Sequence, residues 1–313
     1  MMGGSLDSVI TKPILQGEYK LIKVIQKLSY GTYYLATSLH NPARRWAIKE
    51  IELDFDSPAL RQKLFRFFEN EASRYLALKH PRLMPLENYF FEKNYEYLVF
   101  EYIPGHRLSE IIQLRREPFS ESQVLDLAQK VAEGLEYLHG QGMVFHDLQP
   151  SNIIITPQGN IILTDYGLGK VIAPRNDNEP LWGTLGYAPP EQFGSQPIIN
   201  QGVDIYALGI IMHQMLTFWD PTMAGGVIPL VEKLNSGISR EMTALIKNAT
   251  YEDPGLRYPT VKAFLKDLYS LMRIQPEKSR ENAGSWLKRI ARQLTRPFAK
   301  SSGYAPEEEE LEL

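Results

Sequence analysis

The hydrophobic pattern of the chain changes character at Pro104 and Gly105, and this change constrains the fold most. Between residues 19 and 102, apolar side chains mostly alternate as they do in β-strands. After the break, they recur at steps of three and four, which is typical of helices. Helices are predicted over residues 121–140, 201–218, 239–249 and 258–273. A strand-rich lobe and a helical lobe with a cleft between them are therefore expected. Their predicted bounds are 19–101 and 104–273.

One helix is predicted inside the strand-rich lobe, over residues 58–79. A single apolar stripe runs along it and also contains Glu71. The members of the stripe are Leu64, Phe68, Glu71, Tyr75 and Leu78. A carboxylate on an inward-facing stripe needs a charged or hydrogen-bonding partner.

The composition restricts the functional classes that are open to the chain. With 313 residues, 43% of them apolar and 23% charged, the chain can bury a sizeable core, which excludes wholesale disorder. The net charge of -3 gives no electrostatic reason to expect a nucleic-acid partner. The absence of cysteine excludes disulfides, thiol nucleophiles and cysteine metal sites. No apolar run approaches the roughly 20 residues that span a bilayer, and a cytoplasmic location is predicted.

The densest chemical signal is a loop that carries Asp147 and, five residues later, Asn152. An apolar segment follows, and the chain then reaches a second carboxylate at Asp165. This layout suits phosphoryl transfer, because one aspartate can orient a hydroxyl nucleophile and accept its proton. The asparagine and the second aspartate offer oxygen ligands, which magnesium prefers.

Together with further motifs, these residues resemble the eukaryotic-type protein kinase family, and bacterial Ser/Thr kinases most of all. The resemblance covers about residues 19–273. Its other elements are Ala47-Ile48-Lys49, Pro189-Pro190-Glu191, Asp204 to Gly209, and Asp253-Pro254 with Arg257. It implies a bilobal α+β protein kinase-like fold and an enzyme that uses ATP, Mg2+ and a protein substrate. It also implies that Arg257 pairs with Glu191.

The resemblance assigns a role to each candidate residue. Asp147 is the base, Asn152 and Asp165 hold magnesium, Lys49 contacts the phosphates, and Glu71 orients Lys49. Glu101 and Ile103 present the hinge backbone to adenine, after Phe100 in the gatekeeper position. The other residues expected at the nucleotide are Gly31, Tyr33, Ala47 and Ile154.

Several positions depart from the family pattern. Of the three glycine positions in the phosphate loop only Gly31 is glycine, because Gln26 and Leu28 occupy the other two. Tyr33 replaces a smaller residue above adenine. Gln149 replaces a lysine that meets the γ-phosphate, so a weakened catalytic site is expected.

The activation segment also departs from the pattern. No Ser or Thr lies between Tyr166 and Gly183, and His146 replaces the arginine that reads a phosphate there. Activity independent of activation-loop phosphorylation is therefore predicted. Thr184 is expected to contact Asp147.

Three functional hypotheses remain. The first is a protein Ser/Thr kinase, with tyrosine phosphorylation not excluded. The second is a pseudokinase that acts as a nucleotide-sensing or scaffolding module, which Gln26, Leu28, Tyr33 and Gln149 favour. The third, a small-molecule phosphotransferase, is disfavoured because Glu191 and Arg257 belong to a protein-substrate platform. The sequence predicts no particular oligomeric state.

The two ends of the chain lie outside the predicted kinase domain. Residues 1–18 are expected to be a loose leader, and residues 274–313 a tail with an acidic end. Within the tail, 285–298 predicts a basic amphipathic helix. Its apolar face comprises Trp286, Leu287, Ile290, Leu294 and Phe298, and its basic face Lys288, Arg289, Arg292 and Arg296. It could bind an anionic membrane, dock on a partner protein or fold back on the large lobe, and the last two alternatives are favoured.

Overall fold

The computed structural model describes residues 14–28, 31–52, 72–166, 183–193, 200–223, 227–275 and 285–290. These residues form the two predicted lobes, a six-stranded antiparallel sheet and a mainly helical lobe. The strands of the sheet are β1 (Ile14–Leu15), β2 (Tyr19–Leu28), β3 (Gly31–Ser38), β4 (Arg45–Glu52), β5 (Leu86–Glu92) and β6 (Tyr95–Glu101), in the spatial order β1-β2-β3-β4-β6-β5.

Alternation along β4 separates the two faces of this sheet. Trp46 and Ile48 pack into an aromatic-rich core on one face. Ala47 and Ile51 belong to the main core on the other face, which the sheet shares with the helical lobe. Because side chains alternate along a strand, Lys49 lies on the same face as Ala47 and Ile51. The predicted strand pattern therefore directs Lys49 towards the cleft.

The folded region begins earlier than predicted, because part of the expected leader belongs to the sheet. Strand β1 pairs with β2, with Leu15 opposite Tyr19. Leu15 is wholly buried among the aromatic residues of the outer face. Burial of a large apolar side chain stabilises the folded state by about 1.5–3 kcal/mol, which explains why these residues belong to the sheet and not to the leader.

The helical lobe is built around one buried helix. Its helices are α1 (Leu108–Leu114), α2 (Glu121–Gly140), α3 (Gln201–Thr217), α4 (Val231–Leu234), α5 (Arg240–Ala249) and α6 (Val261–Ile274). A three-stranded sheet joins β7 (His106–Arg107), β8 (Ile153–Ile155) and β9 (Ile161–Leu163). Helix α3 is buried on almost every side, and α2 packs against both α3 and α6. This packing forms the platform beneath the cleft.

Side-chain caps fix the helix limits. Ser120 and Gln123 form a capping box at the predicted start of α2. Helix α6 begins at Val261 and not at the predicted residue 258, because Thr260 caps it by accepting a hydrogen bond from the Ala263 amide. Of the helix predicted over 58–79, residues 72–76 are helical, and 58–71 lie outside the described residues.

The first part of the predicted tail helix folds back on the helical lobe. Residues 285–290 are helical, and Trp286 and Leu287 are buried in the main core. The indole Nε1 of Trp286 donates to Asp126 Oδ2 at 3.2 Å, and its ring meets the Phe119 ring edge-on with centroids 5.5 Å apart. These two apolar residues are therefore not available to a membrane, and the domain packing extends past the predicted end at 273. Residues 291–298 lie outside the described residues.

None of the helices in the described residues is long and apolar enough to cross a membrane.

Replacing Trp286 with alanine should destabilise the whole domain. The substitution removes a fully buried aromatic ring and leaves a cavity, so the free energy of unfolding should fall by about 3–5 kcal/mol. Urea unfolding of the full chain measures this difference. Arg289→Ala is the control, since Arg289 is exposed on the same turn and should change stability by about 0.5 kcal/mol or less. Equal stabilities of the two variants would contradict the docking of the tail.

Candidate active site

A cavity of about 120 Å³ opens between the two lobes. Tyr33 and Ala47 form its wall on the sheet side, and Ile154 and Asp165 form its wall on the helical side. The other lining residues are Ile25, Met84, Tyr102, Ile103, Gly105, Arg107, Glu110 and Thr164. Four residues that the sequence assigns to the nucleotide therefore line one cavity: Tyr33, Ala47, Ile103 and Ile154.

An ion pair between Lys49 and Asp165 joins the lobes inside this cleft. Lys49 Nζ lies 2.9 Å from Asp165 Oδ1, and the lysine side chain is wholly buried. The hydroxyl of Tyr33 donates a hydrogen bond to the same oxygen, and the Tyr33 ring centroid lies 5.3 Å from the ammonium. Tyr33 and Lys49 are directly opposite each other on β3 and β4. The register of the sheet therefore brings both donors to Asp165.

These contacts determine the protonation of Asp165. Burial by itself would raise the pKa of this carboxyl, because a charged group is poorly solvated there. The charge of Lys49, the hydrogen bonds from Tyr33 and Lys49, and the charge of Arg107 outweigh burial and lower the pKa of Asp165 below its ordinary value. Asp165 is therefore an anion at neutral pH.

Asp147 lies in a hydrogen-bonded triangle with Gln149 and Thr184. Thr184 Oγ1 donates to Asp147 Oδ1 at 2.7 Å, which confirms the predicted contact. The amide nitrogen of Gln149 lies 3.0 Å from Asp147 Oδ2 and 2.8 Å from Thr184 Oγ1, while Ser151 Oγ donates to its amide oxygen. Burial raises the pKa of Asp147, and the hydrogen bonds from Thr184 and Gln149 offset this only in part. Asp147 is thus an oriented carboxylate with raised basicity.

The loop that carries Asp147 is anchored to the buried helix α3. Asp204 accepts hydrogen bonds from the backbone amides of Phe145 and His146, at 2.8 and 2.9 Å. Farther along, the buried guanidinium of Arg257 forms two hydrogen bonds to the carboxylate of Glu191. This contact confirms the pairing that was predicted from the sequence. Charge-assisted contacts of this kind fix loops to the rigid helical core.

Asn152 is buried and hydrogen-bonded to the loop residue Asp147. Its side-chain nitrogen donates to the Asp147 carbonyl at 2.8 Å, which leaves its amide oxygen as an acceptor. Its backbone carbonyl accepts from the Thr164 amide at 2.9 Å, and this bond aligns it with the residue that precedes Asp165. Within the described ranges, hydrogen bonds to Asp165 reach only Oδ1, so Oδ2 is open to a cation.

Magnesium requires oxygen ligands, and a nucleotide requires polar contacts inside the cavity. In the described part of the chain, no group of three or more His, Cys, Asp or Glu side chains could hold a metal ion. An amide oxygen and a carboxylate oxygen, from Asn152 and Asp165, nevertheless fit magnesium, which usually keeps water and phosphate oxygens as further ligands. The buried Thr164 Oγ1 has no hydrogen-bond partner among the described residues and lies on the cavity wall. A polar ligand in the cavity fits this orphaned hydroxyl.

Two residues that were predicted to contact the nucleotide do not line the cavity. Gly31 and Glu101 are not among the lining residues of the cavity. A Cβ on Gly31 would lie 2.0 Å from the backbone oxygen of Glu50, so close packing of β3 on β4 already requires glycine at this position. Glu101 ends β6 with an exposed side chain. Glu71 lies outside the described residues, so its pairing with Lys49 stays a prediction.

The sequence analysis missed three charged residues near the site, and Glu110, which lines the cavity, is one of them. Arg107 lines the cavity, and Glu96 is wholly buried with neither carboxyl oxygen hydrogen-bonded to a described residue. Burial raises the pKa of Glu96 well above its ordinary value, and the charge of Lys49 lowers it only in part. The interruption of the apolar β6 pattern by Glu96 was the signal for that residue. Arg107 gave no signal, because its place in the cleft depends on the pairing of β7 with β8.

Comparisons with known proteins agree with this architecture. The model of the protein kinase domain family matches residues 19–278. The chain is 26% identical over 267 residues to the serine/threonine-protein kinase PrkC of Bacillus subtilis, which is 81% of this chain and 40% of PrkC. It is 30% identical over 220 residues to an Aurora kinase of Yarrowia lipolytica, which is 67% of this chain and 57% of that kinase. The chain thus spans less than two thirds of the length of these relatives.

The fold itself is shared with a solved structure. The kinase domain of PknI from Mycobacterium tuberculosis matches with a TM-score of 0.66, and the match covers 84% of this chain and 99% of that domain. The two sequences are 17% identical, so the likeness concerns the fold alone. It supports the predicted bilobal α+β arrangement.

Tyr33→Phe should destabilise the protein at neutral pH. It removes a hydrogen bond to an ionised buried carboxylate, and such bonds contribute about 1.5–3 kcal/mol. Because the pKa of Asp165 is lowered on folding, this stability is present above the unfolded-state pKa near 3.8 and is lost as pH falls through the folded-state pKa. Urea unfolding between pH 7 and pH 3 should therefore show a wild-type advantage that shrinks in acid.

The matched control is Tyr34→Phe, which removes a hydroxyl that donates to the half-buried Glu50 on the other face of the sheet. Its effect should be smaller, because that pair is more exposed to water. A larger loss for Tyr34→Phe than for Tyr33→Phe would contradict the assignment.

Proposed function

We propose that this chain, which belongs to the protein kinase domain family, transfers the γ-phosphate of ATP to Ser or Thr hydroxyls of a protein substrate and requires magnesium. The observation that carries the proposal is the oriented Asp147 carboxylate, next to the buried ion pair of Lys49 and Asp165. Its matches to Ser/Thr kinases support the choice of acceptor. A cytoplasmic location is part of this proposal, and the cysteine-free sequence is compatible with it.

In this mechanism Asp147 is the general base. Thr184 and Gln149 hold its carboxylate from two sides, so it can orient the substrate hydroxyl and receive its proton. The hydroxyl oxygen bonds to the γ-phosphorus while the bond from that phosphorus to the β,γ-bridging oxygen breaks, and ADP leaves with the electron pair. The raised pKa of Asp147 brings its basicity closer to that of a useful proton acceptor near neutral pH.

The charged residues of the cleft position the phosphates. Lys49 contributes a buried ammonium, and Asn152 Oδ1 and Asp165 Oδ2 are the oxygens that would hold magnesium. When bound, magnesium supplies positive charge that offsets the charge on the phosphates. Gln149 retains the hydrogen bonds of the catalytic loop but contributes no charge, so a slow enzyme is expected.

The second candidate function is a pseudokinase that works as a binding module. The hydroxyl of Tyr33 occupies one oxygen of Asp165, the carboxylate that a catalytic metal needs. Gln26 and Leu28 stand where glycine amides would approach the phosphates. Both features favour a site that binds a nucleotide without turning it over.

Single-turnover transfer from labelled ATP to a generic protein substrate separates the two candidates. Asp147→Asn should slow transfer by about a hundred- to ten-thousandfold, because it removes the base, while ATP binding stays nearly unchanged. Gln149→Lys should raise the rate by about ten- to a hundredfold, with a smaller change in ATP affinity, because the added charge meets the transferring group. If wild type and Gln149→Lys both match Asp147→Asn, the enzyme proposal fails and the binding module remains.

We also propose that activity requires no phosphate on the activation segment. The stretch between Tyr166 and Gly183 contains no Ser or Thr, and residues 167–182 lie outside the described residues. The hydroxyl of Thr184 already donates a hydrogen bond to Asp147.

Protein treated with a phosphatase should therefore phosphorylate the substrate as fast as untreated protein. Mass spectrometry of both samples is the control. A rate loss that follows removal of a phosphate from residues 167–193 would overturn this prediction.

A further inference from the structure

We propose that Arg107 binds the phosphate groups of the nucleotide in the cleft and so supplies a positive charge that the catalytic loop lacks. The inference rests on the proposed function, because it concerns the same cavity. Four observations carry it: the face on which Arg107 lies, its charge among the lining residues, the lack of a carboxylate partner in the described part of the chain, and its contact with the catalytic loop.

The position of Arg107 follows from the small sheet. Strand β7 pairs with β8 in a register that places Arg107 opposite Ile154. Directly opposed residues of an antiparallel pair project from the same face. Both Arg107 and Ile154 line the cavity between the lobes. A basic side chain is therefore built into the wall that faces the nucleotide.

Arg107 is the one cation among the residues described as lining this cavity. Lys49 lies deeper, where Asp165 neutralises it. Gln149 carries no charge, and Gln26 and Leu28 replace glycines of the phosphate loop. A nucleotide that enters with several negative charges thus meets Arg107 as its first positive partner.

Among the described residues, the guanidinium of Arg107 has no carboxylate partner. Across the described residues, no Asp or Glu lies within ion-pair distance of it. Glu110, which lines the same cavity, is 3.3 Å from the His106 ring instead. The charge of Arg107 acts on Asp165 and helps to lower the pKa of that carboxyl. A phosphate that contacts Arg107 would therefore meet a positive charge that has no ion-pair partner among the described residues.

Among the described residues, one hydrogen bond holds the Arg107 side chain, and its other N–H donors are left for a ligand. Its Nη1 donates to the backbone carbonyl of Ser151, which lies in the 3-10 turn Pro150–Asn152 of the catalytic loop. Arginine has five N–H donors in a planar fork that suits phosphate oxygens. One bond to Ser151 orients the fork and leaves donors for the ligand. Preorganisation of this kind lowers the entropic cost of binding.

The test is equilibrium binding of adenosine, ADP and ATP to the full chain, each with and without magnesium. Arg107→Gln keeps an N–H donor for Ser151 but removes the charge. It should leave adenosine affinity unchanged and weaken ADP and ATP by about ten- to a hundredfold, as expected for charge-assisted hydrogen bonds. Arg107→Lys should restore part of the loss, because it restores charge without the fork.

Arg115→Gln is the matched control. Arg115 also donates to backbone carbonyls, those of Glu117 and Pro118, but it is not among the residues that line the cavity. This variant should bind all three ligands as wild type does. Raised salt should weaken ATP binding more for wild type than for Arg107→Gln. Salt screens the attraction between the Arg107 charge and the phosphates, and the variant lacks that charge.

The outcomes distinguish this inference from the proposed function. An unchanged ratio of ATP to adenosine affinity in Arg107→Gln overturns the role of Arg107 and leaves the kinase proposal intact. An effect of Arg107→Gln on the KM for the protein substrate alone also overturns it, because Arg107 would then read the protein. Wild type that binds none of the three ligands overturns both proposals. A selective loss of ADP and ATP binding supports the phosphate contact.

Discussion

The contact on which the site depends is the ion pair between Lys49 and Asp165, because a wholly buried ammonium must be paired. Removing one partner of such a pair commonly costs about 3–5 kcal/mol, since the other charge stays buried. The pair therefore fixes both lobes. Strand β4 must turn Lys49 inward, and the segment after β9 must carry Asp165 up to meet it. The direct opposition of Tyr33 and Lys49 adds a second donor to the same oxygen.

The catalytic loop keeps its hydrogen-bond geometry although it lacks a positive charge at position 149. Gln149 bridges Asp147 and Thr184 with its amide nitrogen, so the loop keeps a closed set of hydrogen bonds although a charged residue is absent. Asp204 fixes the same loop from below through two backbone amides. The shape of the site therefore does not require a cation at position 149, whereas stabilisation of a charged transition state does. In its proposed role, Arg107 supplies positive charge from a different element, strand β7, which contacts the same loop through Ser151.

Local patterns predicted the two-lobed fold, and ordered motifs predicted the contacts of Asp147 with Thr184 and of Arg257 with Glu191. The start of α2 that the apolar periodicity predicted coincides with a capping box in the structure, which is also a local feature. The tertiary contacts could not be derived this way. Leu15 lies in a segment with no helix or strand periodicity, and only burial among aromatic rings assigns it to the core. Trp286 lies on the apolar face of a predicted helix, but that pattern does not show which surface the helix packs against, and its contact with Phe119 does. Arg107 belongs to a two-residue strand whose direction is set by its pairing with β8.

Glu96 adds a constraint on protonation that no local pattern contains. Its cross-strand partner is Ile51, so it lies on the same face of the sheet as Lys49. If Glu96 were ionised, it would compete with Asp165 for the ammonium. Burial instead raises the pKa of Glu96 well above its ordinary value and so favours its neutral form, whereas Lys49 and Tyr33 lower the pKa of Asp165. The pKa values of two buried carboxyls near one lysine thus shift in opposite directions, because of the two only Asp165 accepts hydrogen bonds from described residues.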